Sequence, residues 1–221
     1  MILEWKKLKR NQILIEVVIY LLIFMFFPMF FIKAAMPEFG QSYALAIELN
    51  LHIQMGVILF GGSLISQVFI EEYKNKTISL SFGYPISRKK LFMAKVLFIS
   101  LSIFLVTLIS FILTGLTTYL LDQAFPFING DPTMSDISTY FTGVITYSLI
   151  ITLISFVPLF LFGIWKRGTI STVICSIFIM QLPKFSSFLN LETNFILLVL
   201  SLLGALSIYL TISTAESIGE I

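Results

Sequence analysis

Charged residues are scarce in this chain. Asp, Glu, Lys and Arg together make up 12% of its 221 residues, about half the usual share of a soluble domain, whereas 57% of the residues are hydrophobic. A soluble protein of this length cannot bury so much apolar surface. The apolar residues form continuous runs of about twenty, the length of a helix that crosses a bilayer, and such runs exclude the alternating pattern of a β-barrel. We therefore predict an all-α polytopic membrane protein in which residues 1–221 form a single transmembrane domain.

Cysteine and histidine are almost absent. The chain has one cysteine, Cys175, and one histidine, His52, so neither an internal disulfide nor a Cys/His metal cluster is expected. The sequence contains no P-loop, no His-Glu-x-x-His and no Gly-x-Ser-x-Gly. We expect no catalytic residue, no metal and no enzyme activity, so that any energy comes from a partner or an ion gradient. A net charge of +2 gives no nucleic-acid surface.

Six apolar segments are predicted to be transmembrane spans. The fifth has only about fourteen residues, or about 21 Å of helix, against a hydrocarbon core of about 30 Å, and Pro183 interrupts it. We predict that residues 183–191 dip back or pack against the outer end of the bundle. Residues 1–10 mix apolar and basic side chains, which is typical of an interfacial amphipathic helix. The predicted spans are 11–32, 43–70, 91–121, 138–165, 169–182 and 193–211, with a loop at 122–137.

Basic residues are concentrated on one side of this predicted topology. Of the 14 Lys and Arg residues, only Lys33 and Lys184 fall on the other side. Cytoplasmic segments of membrane proteins carry the excess of positive charge. The asymmetry therefore predicts that both termini and the segment between spans 2 and 3 are cytoplasmic.

The outer half of span 2 contains four polar residues: Glu48, Asn50, His52 and Gln54. Glu48 and His52 are four apart and share a helix face. Ionisable groups inside a membrane indicate a polar path or a proton-linked pair, so these four residues are candidates for a substrate path. The alternative is an interfacial Glu wetted by headgroups and a His bonded to a neighbouring helix. Glu16 in span 1 is interpreted as snorkelling to the cytoplasmic edge, with substrate contact as the alternative.

A patch of small residues in span 2 and a charged segment directly after it both point to contacts with neighbours. Gly61-Gly62-Ser63 is a patch that lets helices approach closely, with a local hinge as the alternative. The segment Glu71–Lys90, rich in charge, is far longer than a turn between two helices requires, and it indicates a docking surface for a cytosolic protein. A loop held by anionic headgroups is the alternative.

The same segment resembles the permease subunit of an ABC-2 type transporter. In that family an acidic residue ends span 2, and a coupling helix, a Pro-x-Ser-Arg-like turn and a Lys leading into span 3 follow. The matching positions here are Glu71 and Glu72, then 77–82, then Pro85-Ile86-Ser87-Arg88, and Lys95. The usual Gly-Thr after the acids is Lys76-Thr77. By this resemblance the ATPase-contacting residues are Glu71, Glu72, Tyr73, Lys74, Asn75, Thr77, Pro85, Ser87 and Arg88.

The resemblance implies a single permease domain over 1–221 in the bacterial cell membrane. It implies two permease subunits, identical or different, surrounded by lipid, with separate cytosolic ABC ATPases that bind ATP and Mg. Small members resemble exporters of hydrophobic or amphipathic molecules, including toxic or antimicrobial peptides. Two alternatives stay open from the residues alone: a non-transporting membrane immunity or interaction protein, and an ion-coupled carrier that uses Glu48 and His52.

Overall fold

The computed structural model describes residues 10–35, 37–74, 87–186 and 191–216. Throughout these residues the regular structure is helical, with no strand. Residues 1–9 of the predicted interfacial helix (1–10) and the predicted coupling helix at 77–82 lie outside the described residues. The main helices are α1 (Arg10–Ala34), α2 (Tyr43–Lys74), α3 (Arg88–Ala124), α4 (Met134–Trp165), α5 (Thr169–Phe185) and α6 (Thr193–Ser213).

Five of these six helices, all except α5, are long and apolar enough to cross a membrane. The chain is therefore a multi-pass membrane protein, as predicted. Helix α5 consists of a 13-residue α-helix, Thr169–Gln181, and a four-residue 3-10 helix, Leu182–Phe185, that begins at the predicted proline interruption. Its length is about 27 Å, a little less than a hydrocarbon core. Since residues 187–190 lie outside the described part of the chain, the re-entrant segment stays a prediction.

The two helix boundaries on either side of the predicted loop at 122–137 differ from the predicted ones. Helix α3 continues to Ala124 instead of ending at 121, and Asp122 in its last turn accepts hydrogen bonds from the backbone N–H groups of Phe127 and Ile128, at 3.0 and 2.9 Å. Helix α4 begins at Met134 instead of 138, because Thr133 and Asp136 form a capping box. The predicted loop at 122–137 is correspondingly shorter.

Helices α2 and α4 are both irregular near the same end of the bundle. Each contains a π-helical segment, Ser66–Ile70 in α2 and Leu159–Trp165 in α4, and the two segments contact each other. In α4 the regular helix ends at Ile154 and the π segment follows Pro158. Such π segments are uncommon and are often found at functional sites.

The glycine patch of α2 packs against two other helices. A Cβ atom built on Gly61 would lie 2.5 Å from Ser155 Cβ, and one built on Gly62 would overlap Ser176 Oγ. Backbone approach this close requires glycine, so the predicted role of the patch in helix packing is confirmed. Helix α2 thereby contacts α4 and α5 at the centre of the bundle.

The bundle has two ends, which we name by what lies there. We call the segment Glu71–Lys90 the connector. The connector end of the bundle holds Glu71–Lys74, the start of α3, the α4–α5 turn and Glu216. The loop end holds the 3-10 helix Pro37–Gly40 and the α3–α4 loop, which meet in a small second core of Ile32, Ala46, Leu49 and Ile128. At that end Tyr43 donates a hydrogen bond to Asp122, and Asn129 N–H donates to Gly40 O at 2.8 Å.

Candidate functional site

A buried ion pair joins α2 to α3 at the connector end. Lys95 Nζ lies 2.6 Å from Glu72 Oε2 and 2.8 Å from the carbonyl oxygen of Val68, and it sits 5.1 Å from the ring centre of Phe69. The Lys95 side chain is 0% exposed and that of Glu72 is 14% exposed. A buried ammonium must be paired and hydrogen-bonded to be tolerated. Its acceptors are supplied by the π segment of α2 and by the turn that follows it.

The last turn of α2 also contacts the turn between α4 and α5. The Arg167 guanidinium lies 4.3 Å from the centre of the Tyr73 ring, and Lys74 Nζ donates to Thr169 Oγ1 at 2.8 Å. Arg167 has a φ of 50°, in the left-handed region that is uncommon outside glycine. This backbone conformation turns the chain from α4 into α5. The last turn of α2 is therefore joined to α3, to the α4–α5 turn and to α5.

The start of α3 is joined to the end of α6. Arg88 Nη1 donates to the carbonyl oxygen of Glu216 at 3.1 Å, and Lys89 Nζ lies 3.2 Å from Glu216 Oε2. Ser87 precedes the helix with an extended backbone. Both ends of the connector are therefore bonded to neighbouring parts of the bundle.

Among the predicted ATPase-contacting residues, the structure brings together Glu72, Tyr73 and Lys74 with Arg167 and Thr169. Glu71 lies at the same level on the exposed side of α2, whereas Ser87 and Arg88 begin α3. Asn75, Thr77 and Pro85 lie outside the described residues.

Sequence reasoning missed Arg167, Thr169 and Glu216 as partners of this region. The only available signal was the shared basic character of Lys166-Arg167 and the connector, which places them on the same side of a membrane without pairing them.

The four polar residues of the predicted substrate path divide into two pairs. Asn50 and Gln54 are buried. Gln54 Nε2 donates to Thr114 Oγ1 at 3.0 Å, and its Oε1 accepts from Ser110 Oγ at 2.8 Å. Asn50 Nδ2 donates to Tyr140 Oη at 3.1 Å. These two amides therefore join α2 to α3 and α4 inside the bundle.

Glu48 and His52 lie on a different face of α2. Glu48 is exposed and His52 is half-buried. His52 Nδ1 lies 2.8 Å from the backbone carbonyl oxygen of Glu48, one turn away in the same helix. The imidazole is thus paired with its own helix backbone. The geometry does not provide the carboxylate–imidazole contact that a proton-linked pair requires.

The titratable groups of the described residues form no metal site: they contain no group of three or more His, Cys, Asp or Glu side chains that is suited to hold a metal ion. What the connector end provides chemically is a set of ion pairs, hydrogen-bonded lysines and cation–aromatic contacts. Such contacts hold helices in a fixed relation and bind charged partners.

The chain matches a protein family over most of its length. Residues 1–183 match the model of the family described as ABC-2 family transporter protein. A relative from Bacillus subtilis (strain 168), the uncharacterized protein YcbO, is 35% identical over 161 residues, which is 72% of this chain and 70% of the relative. No solved structure matches the chain. Members of this family are typically non-catalytic permease components that work with an ATPase partner. The chain belongs to the ABC-2 family of transporter membrane proteins.

Proposed function

We propose that this chain is the membrane-spanning subunit of an ATP-driven ABC-2 exporter, in the cell membrane of a bacterium with both termini in the cytoplasm. Separate ATPase subunits bind ATP and Mg and dock at the connector end. A second permease subunit, identical or different, completes the transporter. The substrate is a hydrophobic or amphipathic molecule, such as a toxic or antimicrobial peptide. The distribution of bases along the chain supports the orientation.

The observation that carries this proposal is the set of contacts made by the last turn of α2. A docked ATPase that displaces the connector acts on Glu71–Lys74 first. Three contacts then carry the displacement into the bundle: Glu72–Lys95 to α3, Tyr73–Arg167 to the α4–α5 turn, and Lys74–Thr169 to the first residue of α5. Packed elements joined by paired charges move together instead of deforming separately. A solvated loop without these contacts would absorb the motion.

The docking site is tested by reversing the charge of Glu71. This carboxylate is exposed at the end of α2, so Glu71→Lys leaves the bundle intact. Glu72→Lys is less informative, since it would put a second cation beside the buried Lys95. The matched control is Glu38→Lys, an equally exposed carboxylate at the loop end.

The assay is co-purification of the cognate ABC ATPase with tagged permease from detergent-solubilised membranes. We expect Glu71→Lys to lower ATPase recovery at least five-fold at equal permease expression, and Glu38→Lys to leave it unchanged. Equal recovery with Glu71→Lys and the parent would remove Glu71 from the docking surface. A loss with Glu38→Lys as large as that with Glu71→Lys would show that net charge, and not position, governs the interaction.

For the substrate path we propose Glu48 and His52 as the surface-accessible members. They lie about 30 Å along α2 from Glu71–Lys74, near the loop end, and Glu48 gives this end of the helix a negative charge. Asn50 and Gln54, although predicted to line the same path, are occupied by hydrogen bonds inside the bundle. We assign them to holding the wall of the path in place, and not to contacting the substrate.

A further inference from the structure

A groove of about 410 Å³ runs between the first turns of α1 and the last turns of α2. Its α1 wall combines apolar and polar side chains, and its α2 wall is polar. The lining residues are Gln12, Ile15, Glu16, Ile19 and Tyr20 of α1, and Gln67 and Glu71 of α2. The groove is wide open to the surroundings of the protein. It shares Glu71 with the proposed docking surface, and its lining includes neither the Glu72–Lys95 pair nor the polar residues at the loop end.

The carboxylate of Glu16 is held in place at this groove. Gln67 Nε2 donates to Glu16 Oε2 at 3.1 Å, and the same nitrogen lies 3.1 Å from Ser63 Oγ. Glu16 is half-buried, so its charge is partly removed from water. A neutral amide compensates only part of that cost, whereas a cation would compensate it fully.

Glu71 adds a second negative charge to the same groove. No basic residue is found among the described side chains that line it. Two carboxylates in a partly apolar groove attract a cation more strongly than a single surface carboxylate, because the local dielectric is lower. The charge of the groove is therefore complementary to an ammonium or guanidinium group.

The apolar side chains of the groove indicate the polarity of the rest of the ligand. Ile15 and Ile19 are one turn apart on α1, and their side chains are 59% and 51% exposed. Ile15 lies beside Glu16, and Ile19 lies almost one turn further toward the centre of α1, that is, toward the membrane interior. A ligand whose cation binds Glu16 would lay an alkyl or aromatic body along these two side chains. The volume suits a head group and the first part of such a chain, in the range of small-molecule sites.

We propose that this groove is a binding site for a single-chain cationic amphiphile, with its ammonium between Glu16 and Glu71 and its apolar body against Ile15 and Ile19. The inference rests on the proposed function and deepens it, because it gives the charge and polarity of a molecule that enters from the membrane leaflet at the connector end. The site is assigned by its own geometry, so it can be tested without any ATPase.

The experiment uses the full chain in phosphatidylcholine nanodiscs without ATPase. The probe is a dansyl-labelled undecylammonium, and its neutral partner carries a hydroxyl in place of the ammonium. We expect the parent to bind the cation at least ten-fold more tightly than the alcohol. Glu16→Gln should lower cation affinity about ten-fold, Glu71→Gln should lower it less, and the double variant should bind both probes alike. Glu38→Gln at the loop end is the control and should match the parent.

Several outcomes would overturn the assignment. Retention of the parent's cation preference by the double variant would refute it, and so would equal weakening of both probes by Glu16→Gln, which indicates altered packing instead of a lost charge contact. Glu71→Gln guards against the latter, since its exposed carboxylate makes no demand on the fold. A parent that binds neither probe also refutes the assignment. If the chain binds the cation selectively but recruits no ATPase, the proposed function is rejected and the assignment of the groove as a cation-binding site is kept.

Discussion

Replacing Lys95 with Met tests the link between α2 and α3 most directly. The change keeps the length of the side chain and removes its charge and its hydrogen bonds. In the parent, Lys95 Nζ contacts Glu72 Oε2 at 2.6 Å and Val68 O at 2.8 Å, with none of the Lys95 side chain exposed. Lys95→Met therefore leaves a carboxylate and a carbonyl oxygen without this cation.

The size of the effect follows from burial. Removing one partner of a buried ion pair costs about 3–5 kcal/mol, because the other charge stays in a poorly solvated site and loses the compensation that the partner gave. Since the Glu72 side chain keeps 14% exposure and can draw on water, we expect the lower end, about 3 kcal/mol. Removing both charges in Lys95→Met/Glu72→Gln should cost about 1 kcal/mol, less than either single change, because no charge is orphaned.

Lys89 provides a matched control on the same helix. It also pairs with a glutamate, Glu216, at 3.2 Å, but the two side chains are 47% and 63% exposed. Exposed pairs of this kind contribute about 0–1 kcal/mol. Lys89→Met should therefore leave stability within about 1 kcal/mol of the parent.

The assay is reversible unfolding in mixed micelles, followed by far-UV circular dichroism, for the parent and the four variants. The reasoning predicts that Glu72→Gln, which leaves the fully buried Lys95 ammonium behind, is at least as destabilising as Lys95→Met, and that the double variant is more stable than either single variant. If Lys95→Met were as mild as Lys89→Met, the buried pair would not hold α2 to α3. A double variant with the summed loss of the two singles would show that the two charges do not interact.

Two further predictions concern packing and the polar residues of α2. Gly204→Ala should destabilise the bundle by about 1–3 kcal/mol, since the added Cβ would overlap the Leu153 backbone carbonyl. In Gly143→Ala the added Cβ would lie 3.4 Å from its nearest neighbour, so this control should be neutral or stabilising by up to about 1 kcal/mol. Unfolding in micelles compares the two variants. Gln54→Leu should cost about 1–2 kcal/mol of stability, while Glu48→Gln should leave stability unchanged and weaken the export of cationic amphipathic peptides, as measured by survival in their presence at matched expression. Stability lost in Glu48→Gln, or retained in Gln54→Leu, would contradict the division of these polar residues between surface and interior.

The helical architecture could be predicted from the sequence because apolar run length is a direct readout of bilayer thickness. The shortness of α5 was predicted for the same reason. The longer α3 was not, because its first residue, Arg88, and Asp122 in its last turn are charged and lie beyond the apolar run. The earlier start of α4 had a readable signal in the Thr133-x-x-Asp136 spacing, which is typical of a capping box.

The division of the polar residues of α2 into two pairs could also have been predicted from their spacing in the sequence. Glu48 and His52 are four apart and share a face, and so do Asn50 and Gln54. The two pairs are offset by two residues, about 200° around the helix, so they point to nearly opposite sides. Treating all four as one path ignored this offset. Which pair faces the interior could not be predicted, because it depends on partners in α3 and α4 some sixty to ninety residues away.

Helix α2 is the element through which a displacement at the connector end would reach the rest of the bundle. Near the connector it is bonded to α3 and to the α4–α5 turn. At its centre Gly61 packs on Ser155 of α4 and Gly62 on Ser176 of α5, at distances that leave no room for a methyl group. Because α5 is held by α2 at both levels, by Lys74 at its first residue and by Gly62 at its middle, it cannot slide along α2 without breaking one contact and opening a cavity at the other. In the proposed exporter, α2 and α5 therefore move as one unit relative to α1, and the groove that lies between α1 and α2 is the part of the connector end that such a motion would open or close.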